Sequence, residues 1–184
     1  MKQQKKGFFI YDFFKKNRNG QIWIETVIYT SIAFAMIALV LAYAKPKIEE
    51  IQDKAIIEQS IGVLEEIDEV ISDIGTASGN QRVIELSIKK GSLKINGKTD
   101  EIIFELGSRC EYSEPKKDIY IGGIIVRTEK QGELNFVTLT KNYSGEYNLS
   151  YQKDPNKDKV LSKSPTPYKL IISNSDGKIN ININ

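Results

Sequence analysis

One carboxylate stands inside the longest apolar stretch of this sequence. Glu25 has the uncharged residues 21–24 before it and 19 uncharged residues, 26–44, after it. An ionised carboxylate near the centre of a membrane-spanning helix costs roughly 2.5–3.5 kcal/mol on insertion scales. The chemistry open to such a group is ion pairing, because a charge among apolar side chains needs a cation beside it. The position of Glu25 therefore calls for a functional explanation.

Few other residues suggest chemistry. The chain has no histidine and one cysteine, Cys110, so it cannot build a His/Cys zinc site or a triad with a histidine base. Cys110 is predicted to be a small buried hydrophobic residue. The paired glycines of IYIGGIIV match no phosphate-binding pattern and are predicted to mark a bulge or a close contact inside a strand. We expect no catalytic residue, no cofactor and no metal, and therefore no enzyme.

Two asparagines could carry a covalent modification. Asn142 begins the triplet NYS and Asn148 begins NLS, and N-x-S is the acceptor pattern for N-linked glycans on exported domains. Both triplets flank a predicted turn, so both predict surface glycosylation. An asparagine-rich chain also produces such triplets by chance, and this second interpretation stays open.

The charge of the chain is divided unevenly. The first 20 residues carry six basic side chains and one acidic one, a net charge of +5, whereas the whole chain has +2. The remainder is therefore mildly acidic, which argues against nucleic-acid binding, because such binding needs a clustered basic face. Because the bases precede the apolar run, the positive-inside rule places residues 1–20 in the cytoplasm and the body of the protein outside.

The apolar run itself has the length of a membrane span. At 1.5 Å per residue, positions 26–44 extend over about 28 Å as a helix, close to the thickness of the bilayer hydrocarbon. We assign residues 21–44 to a helix for a membrane or for the core of a filament. The large side chains expected to form its apolar surface are Trp23, Val27, Ile28, Ile32, Phe34, Ile37, Leu39 and Leu41.

An amphipathic helix is predicted next, over residues 45–75. Pro46 at its start is predicted to kink the helix without necessarily ending it. Isoleucine and leucine then recur at steps of three and four, and Gly75 followed by TASGN predicts the helix end. The apolar side chains of this stripe are Ile57, Ile61, Leu64, Ile67, Ile71 and Ile74.

Residues 80–184 change to the period of two that is typical of strands. The segment 83–106 alternates apolar and polar side chains around a turn at Asn96–Gly97, and further turns are predicted at Gln131–Gly132 and Ser144–Gly145. A last hairpin is predicted around Asp176–Gly177, and the segment QKDPNKDKVLSKSPTPY before it is predicted to be a surface loop. The fold class is α+β: a long N-terminal helix whose amphipathic half packs on an antiparallel sheet of about seven strands.

The stretch NGQIWIET resembles the class III signal peptide of type IV pilins, in the form found in archaeal members. Its features are a basic leader, a glycine, an uninterrupted apolar helix, and an acid at the fifth position after that glycine. The resemblance implies that a prepilin peptidase removes residues 1–20 by cutting between Gly20 and Gln21. Glu25 then lies one helical turn after the new amino group, and in the family this acid pairs with the amine of a neighbouring subunit. Such a pair fixes the register between subunits, as a buried polar residue does in a coiled coil.

The resemblance also implies partners and a location. The subunit would wait in the cell membrane with its leader cytoplasmic and its head outside, and then join identical subunits in an extracellular helical filament. An assembly ATPase and a platform membrane protein are the expected machinery, and adhesion is an expected use. A minor pilin, or a pseudopilin of a secretion or adhesion apparatus, would share these features.

Two other interpretations remain open. Glu25 could sit at the level of the lipid headgroups and pair with Arg18 or Lys16, which would make the chain a single-pass membrane protein with an external β domain. Alternatively, AYA at positions 42–44 satisfies the cleavage rule of an ordinary secretory signal peptide. The apolar run is longer than such signals usually have, and cleavage there would separate the two helical halves.

Overall fold

The computed structural model of the chain describes residues 18–76, 78–175 and 177–184, with side chains described from Ile22 onward. Most of the predicted leader, residues 1–17, lies outside the described residues. Helix α1 covers Arg18–Gly75. The strands that follow are β1 (Gln81–Leu86), β2 (Ser92–Asn96), β3 (Glu101–Ser108), β4 (Asp118–Ile121), β5 (Ile124–Gln131), β6 (Leu134–Asn142), β7 (Asn148–Tyr151), β8 (Lys159–Ser162), β9 (Tyr168–Ser175) and β10 (Lys178–Ile183).

The chain divides into two compact units, and the division falls between Lys45 and Pro46. The unit Pro46–Asn184 contains the second half of α1 and all of the described strands, which confirms the α+β class. Pro46 lies inside α1, so it does not end the helix. The kink predicted at Pro46 stays a prediction.

The amphipathic half of α1 forms one side of the core of the second unit. Every member of the predicted stripe is at most 6% exposed, and the stripe belongs to one apolar cluster with side chains of both sheets. The predicted inward faces of β1, β2 and β3 are also buried, because alternate side chains of a strand share a face. Their buried members are Ile84, Leu86, Leu93, Ile95, Ile102, Phe104 and Leu106.

The described strands are mostly antiparallel, as predicted, but they number ten rather than about seven and form two sheets. One sheet has the order β1-β9-β10-β7, the other has the order β4-β5-β6-β3-β2-β8, and β7 and β10 pair in parallel. Three of the described strands, β4, β7 and β8, have only four residues. Four residues are too few to show a clear alternation, and the parallel pair joins segments far apart in the sequence.

Two local predictions are also wrong. The segment predicted as a surface loop contains β8, which pairs with β2. Gly122 and Gly123 do not lie inside a strand. They form the two-residue turn between β4 and β5, with φ of 54° and 76°. A turn with two positive φ values matches the twist of a hairpin and favours glycine, which has no Cβ to clash.

The end of α1 is held by a side chain from β9. Asn174 is 3% exposed, and its Nδ2 donates to the backbone oxygens of Ile74 at 2.8 Å and Gly75 at 3.1 Å. Its Oδ1 accepts a hydrogen bond from the backbone N–H of Gly177 at 3.0 Å. The last carbonyls of a helix lack partners within the helix. Asn174 therefore satisfies two of them and ties the predicted helix end to the predicted last hairpin.

Charged groups attach α1 to the sheets at two further places. Asp53 is 4% exposed; it pairs with Lys90 and accepts a hydrogen bond from the backbone N–H of Arg109 at 2.8 Å. Asp68 pairs with Lys141 at 2.7 Å. Asp53 continues the apolar stripe four residues before Ile57, so an acid at a core position was the signal in the sequence for this contact.

The assignment of the core predicts a difference between two leucines. Leu64 is fully buried, so Leu64→Ala should lower the free energy of unfolding by about 2–5 kcal/mol through lost burial and a cavity. Leu134→Ala removes the same atoms from a side chain that is 41% exposed and should cost less than about 1 kcal/mol. Urea unfolding of the full chain in detergent, followed by far-UV circular dichroism, measures both. Equal losses would contradict the assigned core.

Candidate functional site: the exposed apolar helix

The first half of α1 exposes its apolar side chains around its whole circumference. The side chains assigned to this surface are 45–71% exposed: Trp23, Val27, Ile28, Ile32, Phe34, Ile37, Leu39 and Leu41. In the part of the chain that the structure describes, α1 is long and apolar enough to cross a membrane, and its most apolar stretch has no buried residue. A contiguous apolar surface of this size marks a contact with a membrane or with another protein.

Two hydroxyl groups in this segment form hydrogen bonds with the backbone of the same helix. Thr26 Oγ1 donates to the backbone oxygen of Ile22 at 2.9 Å, and Thr30 Oγ1 donates to that of Thr26 at 2.7 Å. Groups that bond to the preceding turn need no water. The uncharged polar residues of the segment are therefore compatible with a dry environment, in lipid or among helices.

Glu25 differs from these hydroxyl groups, because placing its charged carboxylate in apolar surroundings costs free energy. Its side chain is exposed on the helix among exposed apolar neighbours, including Ile24 and Ile28. Gln21 lies four residues earlier in α1, about 6 Å along the helix axis. An amino group created at Gln21 would therefore lie within one helical turn of the carboxylate, on the same chain or on a neighbouring helix in a similar register.

Gly20 and Gln21, which flank the predicted cleavage site, lie in the described part of α1, and only their backbone is described. Glycine lowers helix stability by about 1 kcal/mol relative to alanine. Gly20 therefore weakens the helix locally at the predicted cleavage site.

The described residues contain no group of three His, Cys, Asp or Glu side chains that could hold a metal ion. Burial raises the pKa of the Cys110 thiol, and the nearby carboxylates of Glu50 and Asp53 raise it further. Cys110 is 7% exposed, as the sequence predicts for a small buried residue. Burial and the neighbouring Asp68 carboxylate also raise the pKa of Tyr143.

The raised pKa gives Cys110 a testable property. Because only the thiolate is nucleophilic, alkylation of Cys110 by iodoacetamide should be slower in the folded chain than in the chain unfolded in urea. The pH at which the rate rises should lie above the usual value of about 8.5 for a free cysteine. Mass spectrometry of labelled peptides over a pH series measures the rate. Equal rates and midpoints in the two states would contradict the burial of the thiol.

The two predicted glycosylation sites lie in the second unit, six residues apart in the sequence. Asn142 ends β6, Asn148 begins β7, and both side chains are exposed. The predicted turn lies between them, with Gly145 at a φ of 87°. Two of the residues singled out in the sequence thus belong to the second unit, whereas Glu25 belongs to the other unit.

Comparisons with protein families, with curated proteins and with solved structures found no match to this chain. Two features remain from which a function can be inferred. One is the exposed apolar helix with its single carboxylate, and the other is a folded α+β unit that follows it in the chain.

Proposed function

We propose that this chain is the structural subunit, a pilin, of an archaeal-type filament of the type IV pilus class. A prepilin peptidase would remove the leader by cutting between Gly20 and Gln21. The apolar half of α1 would hold the subunit in the membrane and then pack against the same segment of identical subunits. An assembly ATPase and its platform membrane protein would drive the transfer, and the second unit would form the outer surface of the filament.

The observation that carries this proposal is the exposed apolar surface of the first half of α1 with one acid, Glu25, inside it. A permanent anchor needs the apolar surface but does not require an acid within it, because the hydrocarbon chains of lipid provide no cation. A bundle of identical helices covers the same surface. It also brings the amino group at Gln21 of one subunit to the Glu25 of another, which offsets the cost of burying both charges.

The proposal assigns a structural role rather than a catalytic one. It places the subunit in the cell membrane before assembly and in an extracellular filament afterwards. Removal of the leader would take away a net charge of +5. Each basic side chain of the leader is attracted to the anionic cytoplasmic surface by about 1 kcal/mol, and this attraction would otherwise hold the helix end there.

The processing step predicts the first residue of the mature chain. Sequencing of the surface-exposed protein from cells with an active prepilin peptidase should begin at Gln21. The same protein from cells without that peptidase should keep the leader, which is the matched control. An intact leader in both cells would contradict the proposal and favour a simple membrane anchor. A start at Lys45 would identify a secreted domain instead.

The ion pair predicts a separation of cleavage from assembly. Glu25→Ala should still be cut before Gln21, whereas its incorporation into filaments should fall at least about tenfold, because a buried amino group then lacks its partner. Glu25→Gln keeps the size and polarity but not the charge, and it should fail in the same way. Quantitative mass spectrometry of sheared filaments measures incorporation.

A second glutamate on the same helix provides the control. Glu66 is exposed and follows the proline that begins the second unit, so Glu66→Ala should leave cleavage unchanged and reduce incorporation much less than Glu25→Ala. Normal filaments from Glu25→Ala, or an equal loss from Glu66→Ala, would show that Glu25 does not set the register.

A further inference from the structure

The two N-x-S triplets of the second unit have the same pattern but different surroundings. Enzymes that attach N-linked glycans recognise the asparagine amide together with the hydroxyl group two residues later. A folded chain can therefore be modified only where both groups reach the surface. Exposure of the asparagine alone does not separate the two sites, because Asn142 and Asn148 are both exposed.

At the first triplet both groups lie on the surface. Asn142 and Ser144 are exposed, whereas Tyr143 between them is 1% exposed and points into the core. The Oδ1 of Asn142 accepts a hydrogen bond from the backbone N–H of Ser144 at 2.7 Å, which forms a turn closed by the asparagine side chain. Tyr143 also donates its backbone N–H to the oxygen of Asp100 at 2.8 Å. The buried tyrosine thus anchors a turn that presents amide and hydroxyl together.

The hydrogen bonds that the side chains of Asn142 and Ser144 donate to other residues are on the surface. The Nδ2 of Asn142 donates to Glu101 Oε1 at 3.1 Å, and Ser144 Oγ donates to the backbone oxygen of Thr99 at 2.8 Å. Both bonds are exposed, so water or an enzyme can replace them at little cost. The amide nitrogen carries two hydrogens, so the bond to Glu101 still leaves one of them for other contacts.

At the second triplet the hydroxyl group is inside the protein. Ser150 is 6% exposed, and its Oγ lies 3.3 Å from the backbone oxygen of Ile179 and 3.4 Å from Asn180 Oδ1. Leu149 is fully buried and donates its backbone N–H to Asp100 Oδ1 at 2.7 Å. The triplet also lies in β7, which pairs with β10 along its whole length. Binding by an enzyme would require this strand to leave the sheet.

We propose that Asn142 is the glycan attachment site of the folded protein and that Asn148 is not modified. This inference rests on the placement of the second unit outside the cell, which is part of the proposed function. It does not depend on cleavage at Gly20 or on assembly.

The reaction joins a sugar carried on a lipid phosphate to the amide of Asn142. A bond forms between the anomeric carbon of the sugar and Nδ2, and the bond from that carbon to the phosphate oxygen breaks. The lipid phosphate leaves with the electron pair, and one amide proton passes to a base of the transferase. The donor and the transferase come from the cell, and the protein supplies the amide and the hydroxyl that is recognised.

The test uses the full chain in a host that glycosylates exported proteins, with Asp158→Thr as the positive control. This change completes an N-x-T triplet at Asn156, which is exposed in the loop before β8. A host is suitable if it modifies Asn156 in that variant. Mass spectrometry of glycopeptides from the wild-type chain in the same host should then find a glycan on Asn142 and none on Asn148.

Four variants test the recognised groups. Asn142→Gln and Ser144→Ala should each abolish the glycan, whereas Ser144→Thr keeps the hydroxyl and should retain it. Asn148→Gln should leave the glycosylation pattern unchanged. Ser144→Ala keeps the Asn142 side chain and its hydrogen bond to the backbone of residue 144, so loss of the glycan in this variant reports recognition rather than misfolding.

A glycan on Asn148, or an unmodified Asn142 in the suitable host, would overturn the inference. N-terminal sequencing of the same samples separates this result from a failure of the proposed function. A chain that begins at Gln21 without a glycan on Asn142 would refute only the glycan site. An intact leader with a glycan on Asn142 would support the glycan site and refute the pilin.

Discussion

The dominant constraint on this protein is the apolar surface of the first half of α1, which must be covered by something other than water. Burying one large aliphatic or aromatic side chain is worth about 1.5–3 kcal/mol, and a whole domain is stable by only about 5–15 kcal/mol. The side chains along this segment are about half to three quarters exposed. Covering these side chains with lipid or other helices would stabilise the chain by an amount comparable to the stability of a whole domain, so we expect this segment to be covered. In our proposal, Glu25 favours other helices over lipid around this segment, because a protein can hold a cation at a fixed place beside the carboxylate.

The second half of α1 also has apolar side chains that must be kept from water, but here the chain itself buries them. Its apolar side chains occupy one stripe and are buried by the sheets of the same chain. Polar contacts then fix the position of the helix: Asp53 meets Lys90 and the backbone of Arg109, and Asn174 closes the helix end. Asp53 and Asn174 are well buried and paired, as polar groups in a core must be. Helix α1 therefore belongs to two units. Its apolar segment needs lipid or other helices around it, whereas its amphipathic segment is already buried by the sheets.

Local patterns predicted a large part of this structure. The buried stripe of α1, its end at Gly75 and the inward faces of the first strands all follow from periodicity and from glycine, which act over a few residues. Strand β8 was missed, because a segment of four residues shows little alternation. The paired glycines of the β4–β5 turn were predicted to lie inside a strand for a related reason. The apolar residues on both sides favour a continuous strand, and the turn between them needs only two residues. Glu25 and the two N-x-S triplets were found because charge and motif are properties of single positions.

The sequence by itself determined the apolar segment, its carboxylate, the helical stripe and the existence of a β-rich unit, because each depends on neighbours along the chain. Tertiary structure alone decided how the strands divide between two sheets, and that β7 pairs with β10 in parallel, because these pairs join distant segments through backbone groups that every residue shares. It also decided which of two identical motifs presents its hydroxyl group. Ser144 and Ser150 cannot be distinguished by pattern, and only the packing of β7 against β10 buries one while the turn after β6 exposes the other.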